Sequence, residues 1–171
     1  MHVFVDESRR ARYMVAAAIV PMTDLAGMRA SLKGLRLPGQ QRIHFRKESD
    51  RQRRRILSQV VRLSPTVWIF EAPGPEEVAR AACLTAMVDD LTVLRPQHLI
   101  LESRGDHRDR VDRRIIRAAL EKSDHGVQYR HLEGRHEPLL WIPDVVAWAH
   151  GAGGEWSRRA RPLVRKTLIL P

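Results

Sequence analysis

The sequence has a single cysteine, no long apolar run and no low-complexity linker. Cys83 has no second cysteine to pair with, so no intramolecular disulfide forms and a reducing compartment is indicated. No stretch approaches the roughly 18 consecutive apolar residues that a membrane-spanning helix needs. Charged residues between Asp6 and Arg10 interrupt any secretory pattern near the first residues. These absences predict a soluble cytoplasmic protein with no membrane partner.

Several motifs of known chemistry are also missing. The sequence has no glycine-rich phosphate loop, no nucleophile elbow and no cysteine pattern for zinc. The eight histidines show no metal-ligand spacing, and the glycines between Gly151 and Gly154 are typical of a helix end. Any catalytic chemistry is therefore best sought among the carboxylates.

Arginine, in contrast, is abundant. Lysine and arginine total 30 against 20 acidic residues, the net charge is +10, and 26 of the 30 basic residues are arginine. Guanidinium groups bind phosphate in a planar, bidentate way, so this balance favours a polyanionic partner, nucleic acid first. An arginine-rich proteome would produce the same excess without that function. The block from Arg51 to Arg55 and the basic tail over 151–171 are candidate contacts to a nucleic-acid backbone.

The apolar patterning predicts one α/β domain over 1–171. A hairpin of two strands is followed by a helical insertion over 22–64, a third strand, and then alternating helices and strands. This order predicts a mixed five-stranded sheet with helices on both faces. The expected strands are 2–6, 13–20, 66–70, 98–102 and 127–132, and the later helices are about 75–94, about 108–122 and one beginning at Pro143.

Two segments about a hundred residues apart read almost alike. Each is an apolar run of strand type that ends on an acid, Asp6 in the first and Glu102 in the second. If both are central parallel strands, the two acids lie side by side at the carboxyl edge of the sheet, where open α/β sheets bind ligands. Two adjacent carboxylates repel unless a proton or a metal ion lies between them. A salt bridge from each acid to an arginine is the structural alternative.

Asp144 is the third acid of interest because it opens the last predicted helix. An acid in the first helical turn also stabilises the helix dipole without any catalytic role. Together with Asp6 and Glu102, however, it would form a small acidic pocket of the kind that binds Mg²⁺ or Mn²⁺. Two such ions about 3.5–4 Å apart activate water in phosphodiester cleavage.

Three short motifs resemble domain-of-unknown-function family 3800, a bacterial family of the ribonuclease H-like superfamily. They are the segment ending Asp6-Glu7-Ser8, the Ile43-His44-Phe45 patch, and the segment from Leu140 to Ala147. The family usually has glycine and alanine where this chain has Arg9 and Pro143. The resemblance implies a ribonuclease H-like fold with Asp6, Glu102 and Asp144 as metal-binding acids. The third family acid is commonly aspartate, so Glu102 would be a longer substitute.

Further residues are weaker candidates. Glu7 follows the first acid but should point to the opposite face of the strand, and His44 could transfer a proton or contact a phosphate. Asp89 or Asp90 would supply a fourth acid from the long third helix, with Glu71 as an alternative. Of the four tryptophans, only Trp156 is expected to be exposed.

The leading hypothesis is a metal-dependent nuclease that hydrolyses RNA or DNA through these acids. The first alternative is a nucleic-acid-binding module of the same fold without catalysis, which the unusual Arg9 and Pro143 favour. The second is an acid-cluster nuclease of the PIN type, whose sheet would be parallel throughout.

Overall fold

The computed structural model describes residues 1–121 and 126–171, and a six-stranded mixed sheet forms its centre. The strand order across the sheet is β5-β4-β1-β2-β3-β6. The strands are β1 (His2–Arg9), β2 (Tyr13–Val20), β3 (Thr66–Ala72), β4 (His98–Glu102), β5 (Gln128–Leu132) and β6 (Val164–Ile169). β1 and β2 are antiparallel, which excludes the parallel sheet of a PIN-type nuclease, whereas β4 lies parallel to β1.

Six α-helices cover the sheet within the described residues. They are α1 (Leu25–Lys33), α2 (Asp50–Leu63), α3 (Glu76–Thr92), α4 (Asp106–Leu120), α5 (Trp141–Ala152) and α6 (Gly154–Ala160). The helical insertion between the second and third strands is confirmed, with α1 and α2 as its main elements. Ser49 caps α2 by accepting the Gln52 amide. The predicted helix over 108–122 is α4, and its expected last residue, Lys122, lies outside the described residues.

Two apolar layers explain why helices are needed on both faces. All eight residues of β2 are buried, so this strand carries no alternation of polar and apolar residues. One face of the sheet packs against α1, α2 and α5, with the indole of Trp141 fully buried there. The other face packs against α3 and α4. Consecutive residues of one strand therefore belong to different layers.

The sheet has six strands rather than the five expected, because the basic tail over 151–171 contains α6 and β6. β6 lies parallel to β3 at the sheet edge, and its residues alternate between half-buried and exposed. Lys166 on this strand forms an ion pair with Asp90 and lies over the ring of Trp68. Arg165 and Lys166 on this strand make the sequence read as a charged tail, although charged side chains are common on edge strands.

Among the described helices, none combines the length and the apolar character needed to cross a bilayer.

Candidate active site

β1 and β4 place two acids next to each other on the same face of the sheet. Their parallel pairing aligns Val5 with Leu101, so Asp6 and Glu102 are the next residues along the two strands. Because side chains alternate along a strand, both acids lie on the face of the sheet that α5 covers. The two similar apolar runs are therefore neighbouring strands in register, and their terminal acids lie at the carboxyl edge of β4.

α5 brings the third acid to this edge. Asp144 lies in the first turn of the helix, which is otherwise buried through most of its length against β1 and β2. One oxygen of Asp144 accepts a hydrogen bond of 3.2 Å from the amide of Phe45. That contact ties the start of α5 to the end of the segment between α1 and α2.

The three acids line one open cleft with a volume of about 460 Å³. Glu7 and His44 line the same cleft, together with Arg10, Arg42, Arg46 and Trp148. All five residues that the sequence singled out for a site thus meet at one place, although they come from four separate parts of the chain. The cleft contains both acidic and basic side chains, as a site for a metal and a phosphate would require.

Burial and mutual repulsion make the acids of the cleft reluctant to ionise. Asp6 is only 8% exposed, and its pKa is raised well above 3.8, first by burial and then by the charges of Glu7, Asp144 and Glu102. Burial also raises the pKa of Asp144 to about 6, despite the hydrogen bond from Phe45. Strongly raised carboxyl pKa values in a cleft are typical of functional sites.

Glu102 differs from the other two acids because an arginine neutralises it. Arg42 donates a hydrogen bond of 2.5 Å to Oε1, which also accepts the amide of Gly134 at 3.0 Å. The other oxygen, Oε2, is buried without a hydrogen-bond partner. Burial raises the pKa of Glu102, although Arg42 acts in the opposite direction. The salt-bridge alternative therefore holds for Glu102, whereas Asp6 has no arginine partner among the described residues.

The donor set fits a hard divalent cation. Asp6 uses one oxygen to accept the amide of Glu7, and Asp144 uses one for Phe45, which leaves each acid a further oxygen. Glu102 contributes its partnerless Oε2. Carboxylate oxygens are the ligands that Mg²⁺ and Mn²⁺ prefer.

The most compact cluster of possible metal ligands lies elsewhere. Within residues 1–121 and 126–171, Asp109, Asp112 and His131 each place one ligand atom within 4.8 Å of the other two. The three acids of the cleft do not meet this distance and are therefore more widely spaced. Asp112 accepts two hydrogen bonds from Arg80 at 2.8 and 2.6 Å. Burial alone would raise the pKa of Asp112, but these hydrogen bonds and that of His131 lower it to about 2. Because Arg80 already occupies both oxygens, this cluster is a buried ion-pair network.

Glu7 belongs to the same network on the opposite side of the sheet, as the alternation of β1 predicts. Arg80 donates to its Oε2 at 2.8 Å, and Arg104 lies 3.0 Å from its Oε1. Two guanidinium groups hold its carboxylate, so Glu7 anchors the rim of the cleft.

His44 lies in an extended segment between α1 and α2 and is exposed at the cleft. Partial burial, followed by the charges of Arg42 and Lys47, lowers its pKa below 6.5. The imidazole is therefore neutral at pH 7 and able to accept a proton.

The other acids considered from the sequence do not line the cleft. Asp90 binds Lys166 at 2.6 Å, and Asp89 is exposed on the same helix, α3, which covers the opposite face. Glu71 lies 3.0 Å from the imidazole of His150. The expectation of a fourth acid from α3 is therefore wrong.

A cluster of aromatic and basic side chains packs around Trp148, the residue of α5 that lines the cleft beside Asp144. Trp156 was expected to be exposed, but it is half-buried and packs with Phe45 and Trp148, with ring centroids 5.3–6.4 Å apart. Arg53 and Arg54, from the basic block, lie over these indole rings. Sequence reasoning missed this cluster because Phe45 is distant in sequence from Trp148 and Trp156, which lie on the consecutive helices α5 and α6.

Comparisons with known proteins support the architecture. No family model matches the chain, and no curated protein matches it, so the resemblance to family 3800 stays a prediction. A chain in the structure of the PCNA:RNase HII complex from Archaeoglobus fulgidus matches with a TM-score of 0.55. The match has 18% sequence identity and covers 86% of this chain and 70% of that one. The fold is ribonuclease H-like. At this level of identity the likeness describes the architecture alone.

Proposed function

We propose that this protein is a metal-dependent nuclease that hydrolyses phosphodiester bonds in RNA or DNA. The observation that carries the proposal is the meeting of Asp6, Glu102 and Asp144 in one cleft of a ribonuclease H-like fold. The free oxygens of these acids would hold Mg²⁺ or Mn²⁺, which supplies an activated water and stabilises the leaving oxygen. The nuclease chemistry and the roles of the residues are proposals that the geometry supports.

The chain's own residues have separate tasks in this proposal. Asp6 and Asp144 supply carboxylate oxygens from a rigid strand and from a buried helix, so their positions do not depend on a mobile loop. His44 is exposed at the cleft and its lowered pKa favours the neutral imidazole, so it would accept a proton near the substrate. Arg42 and Arg46 line the same cleft and would face the nucleic-acid backbone.

Replacing Asp6 by asparagine tests the proposal. Wild type and D6N are assayed on single strands, duplexes and RNA–DNA hybrids with Mg²⁺ or Mn²⁺, and Asp89→Asn, an exposed acid outside the cleft, is the control. We expect D6N to lose at least 100-fold in cleavage rate, a fall on the order expected for a catalytic group, while D89N cleaves like wild type. Equal activity in D6N and wild type would refute this mechanism.

The second candidate function is a nucleic-acid-binding module without catalysis. The ion pair between Arg42 and Glu102 favours it, because an internal cation already neutralises one of the three acids. Calorimetric titration with Mn²⁺ separates the two functions. Binding that disappears in Asp144→Asn supports the nuclease, and the absence of carboxylate-dependent binding supports the module.

A further inference from the structure

Arg10 lies at the mouth of the cleft with no polar partner for its guanidinium among the described residues. It belongs to the short connection between β1 and β2, where its backbone amide bonds to the carbonyl of Arg12 at 3.2 Å. The residue is exposed, and its guanidinium carbon lies 4.7 Å from the centroid of the Trp148 ring. Arg10 and Trp148 both line the cleft, so this guanidinium lies beside the space that a substrate would enter.

Two other arginines nearby, Arg9 and Arg53, already have partners. Arg9, the preceding residue, binds Glu76 at 3.3 Å. Arg53 lies over the same indole ring as Arg10, but its guanidinium donates to Asp50 and to two backbone carbonyls. The guanidinium groups of Arg9 and Arg53 therefore already have hydrogen-bond acceptors, whereas that of Arg10 has none among the described residues.

The last turn of α5 is shaped to receive the Arg10 side chain. A Cβ atom on Gly151 would lie 3.0 Å from Cδ of Arg10 and 2.5 Å from Cε of Met14. Glycine at this position thus allows the stem of Arg10 to cross the helix. The indole of Trp148 lies one turn earlier on α5 and contacts the guanidinium of Arg10, an arrangement that cation–π attraction stabilises.

We propose that Arg10, seated on Trp148 and Gly151, is a subsite for a backbone phosphate of the bound nucleic acid. The inference rests on the proposed function, because it assigns a contact to the substrate of that site. The carboxylates of the cleft repel a polyanion, so a substrate that approaches them needs fixed positive charge at the rim. Arg10 offers permanent charge and a planar set of donors that matches a phosphate group. Arg46, also exposed and without a guanidinium partner among the described residues, lines the same cleft.

Equilibrium binding to a labelled 12-nucleotide single-stranded RNA and to DNA of the same sequence tests the subsite. Fluorescence anisotropy is measured in EDTA, so that no cleavage occurs, at several salt concentrations. Arg10→Gln is compared with the matched control Arg9→Gln, which removes the same charge from the adjacent residue; Arg9 lines the same cleft but is paired with Glu76. We expect R10Q to bind about tenfold more weakly and to reduce the salt slope of log K by about 0.7, the value for one phosphate contact on a single strand. R9Q should change affinity less than twofold.

Gly151→Ala provides a second test that leaves the charge unchanged. The added methyl group would lie 2.5 Å from Cε of Met14 and 3.0 Å from Cδ of Arg10, so both side chains must shift, and G151A should weaken binding in the same direction as R10Q. The double variant R10Q/G151A should then bind no more weakly than R10Q alone, because both changes disable one contact. A circular dichroism spectrum identical to that of wild type shows that G151A is folded. If G151A does not fold, R10Q alone tests the subsite.

The outcomes separate this inference from the proposed function. If R10Q and R9Q weaken binding equally, the loss of affinity comes from the lower net charge and not from a specific contact, and the subsite is refuted. Cleavage by wild type would still support a nuclease. If wild type neither binds nor cleaves any nucleic acid, the proposed function fails and the subsite fails with it. A selective loss in R10Q, with a smaller salt slope, supports the subsite.

Discussion

Asp144→Asn should stabilise the metal-free protein at neutral pH, even though it removes a residue proposed for function. The pKa of Asp144 is about 6 in the folded protein and 3.8 as the ordinary value. Between these pH values the folded state binds more protons than the unfolded state, so stability falls as the pH rises and the loss is complete above pH 6. A shift of one pKa unit corresponds to about 1.4 kcal/mol, so the difference between 3.8 and about 6 means that keeping Asp144 ionised in the folded protein at pH 7 costs about 3 kcal/mol.

Asparagine removes this cost and keeps the useful contact. Its side-chain oxygen can still accept the amide of Phe45, which bonds to Asp144 at 3.2 Å. Because Asp144 is not completely buried, solvent reduces the gain, and we expect D144N to add about 1–3 kcal/mol to the free energy of unfolding at pH 7. At pH 3.5, below both pKa values, the wild-type carboxyl is protonated in the folded state and mostly protonated in the unfolded state, so the two proteins should be nearly equally stable.

Urea denaturation in EDTA, followed by circular dichroism at pH 3.5 and pH 7, measures this difference. Asp89→Asn is the matched control, because Asp89 is exposed on α3 and should give no gain at either pH. A D144N protein that is no more stable than wild type at pH 7 would refute the reasoning. So would a gain of the same size at pH 3.5, since the effect would then not arise from the charge.

Three further predictions follow from the same contacts. Mg²⁺ at about 1,000 times its Kd should reverse the order of stability between wild type and D144N, since it adds about 4.1 kcal/mol to the state that binds it and this exceeds the gain from D144N. An unchanged order in thermal melts would contradict a metal site at Asp144. Arg80→Met should lower the free energy of unfolding by about 3–5 kcal/mol, because it leaves the buried carboxylate of Asp112 without its cation; a loss below about 1 kcal/mol in urea melts would count against this network. Gly134→Ala would place a methyl group 2.7 Å from Oε2 of Glu102, so calorimetry should show weakened Mn²⁺ binding, and unchanged affinity would argue against that oxygen as a ligand.

The carboxylate pair at the sheet edge could be predicted because it depends on short-range patterns. A buried parallel strand is a short apolar run, and an acid that ends such a run lies at the sheet edge. Two runs of the same length that each end on an acid would place those acids side by side if both were central parallel strands, and β1 and β4 pair in that register. Asp144 followed from its place at the start of an apolar helix, and α5 covers the face onto which Asp6 and Glu102 project.

The parts that sequence reasoning missed depend on long-range contacts between charged side chains. Arg42 reaches Glu102 across 60 residues of sequence, and nothing in its local pattern distinguishes it from the other arginines. Asp90 was considered for the site, but it pairs with Lys166 on a strand that was itself read as a tail. An edge strand that carries charged residues has a weak apolar pattern, so neither the sixth strand nor its ion pair could be read from the sequence.

The distribution of ion pairs in this arginine-rich chain is itself an argument for function at the cleft. Of the other buried acids, Asp109 and Glu48 accept hydrogen bonds from the neutral side chains of Ser103 and Gln40, whereas Asp112 and Glu137 have an arginine at 2.6 and 2.8 Å. Half-buried Glu7, one residue after Asp6, has two arginines. Asp6 and Asp144 have no such partner among the described residues, and both have raised pKa values. Stability alone would favour a neutral or arginine-paired residue at these two positions, because an uncompensated buried charge is costly. A cation from solution that binds between them would offset that cost, and this is why the two unpaired acids, more than the paired Glu102, carry the proposal of a metal site.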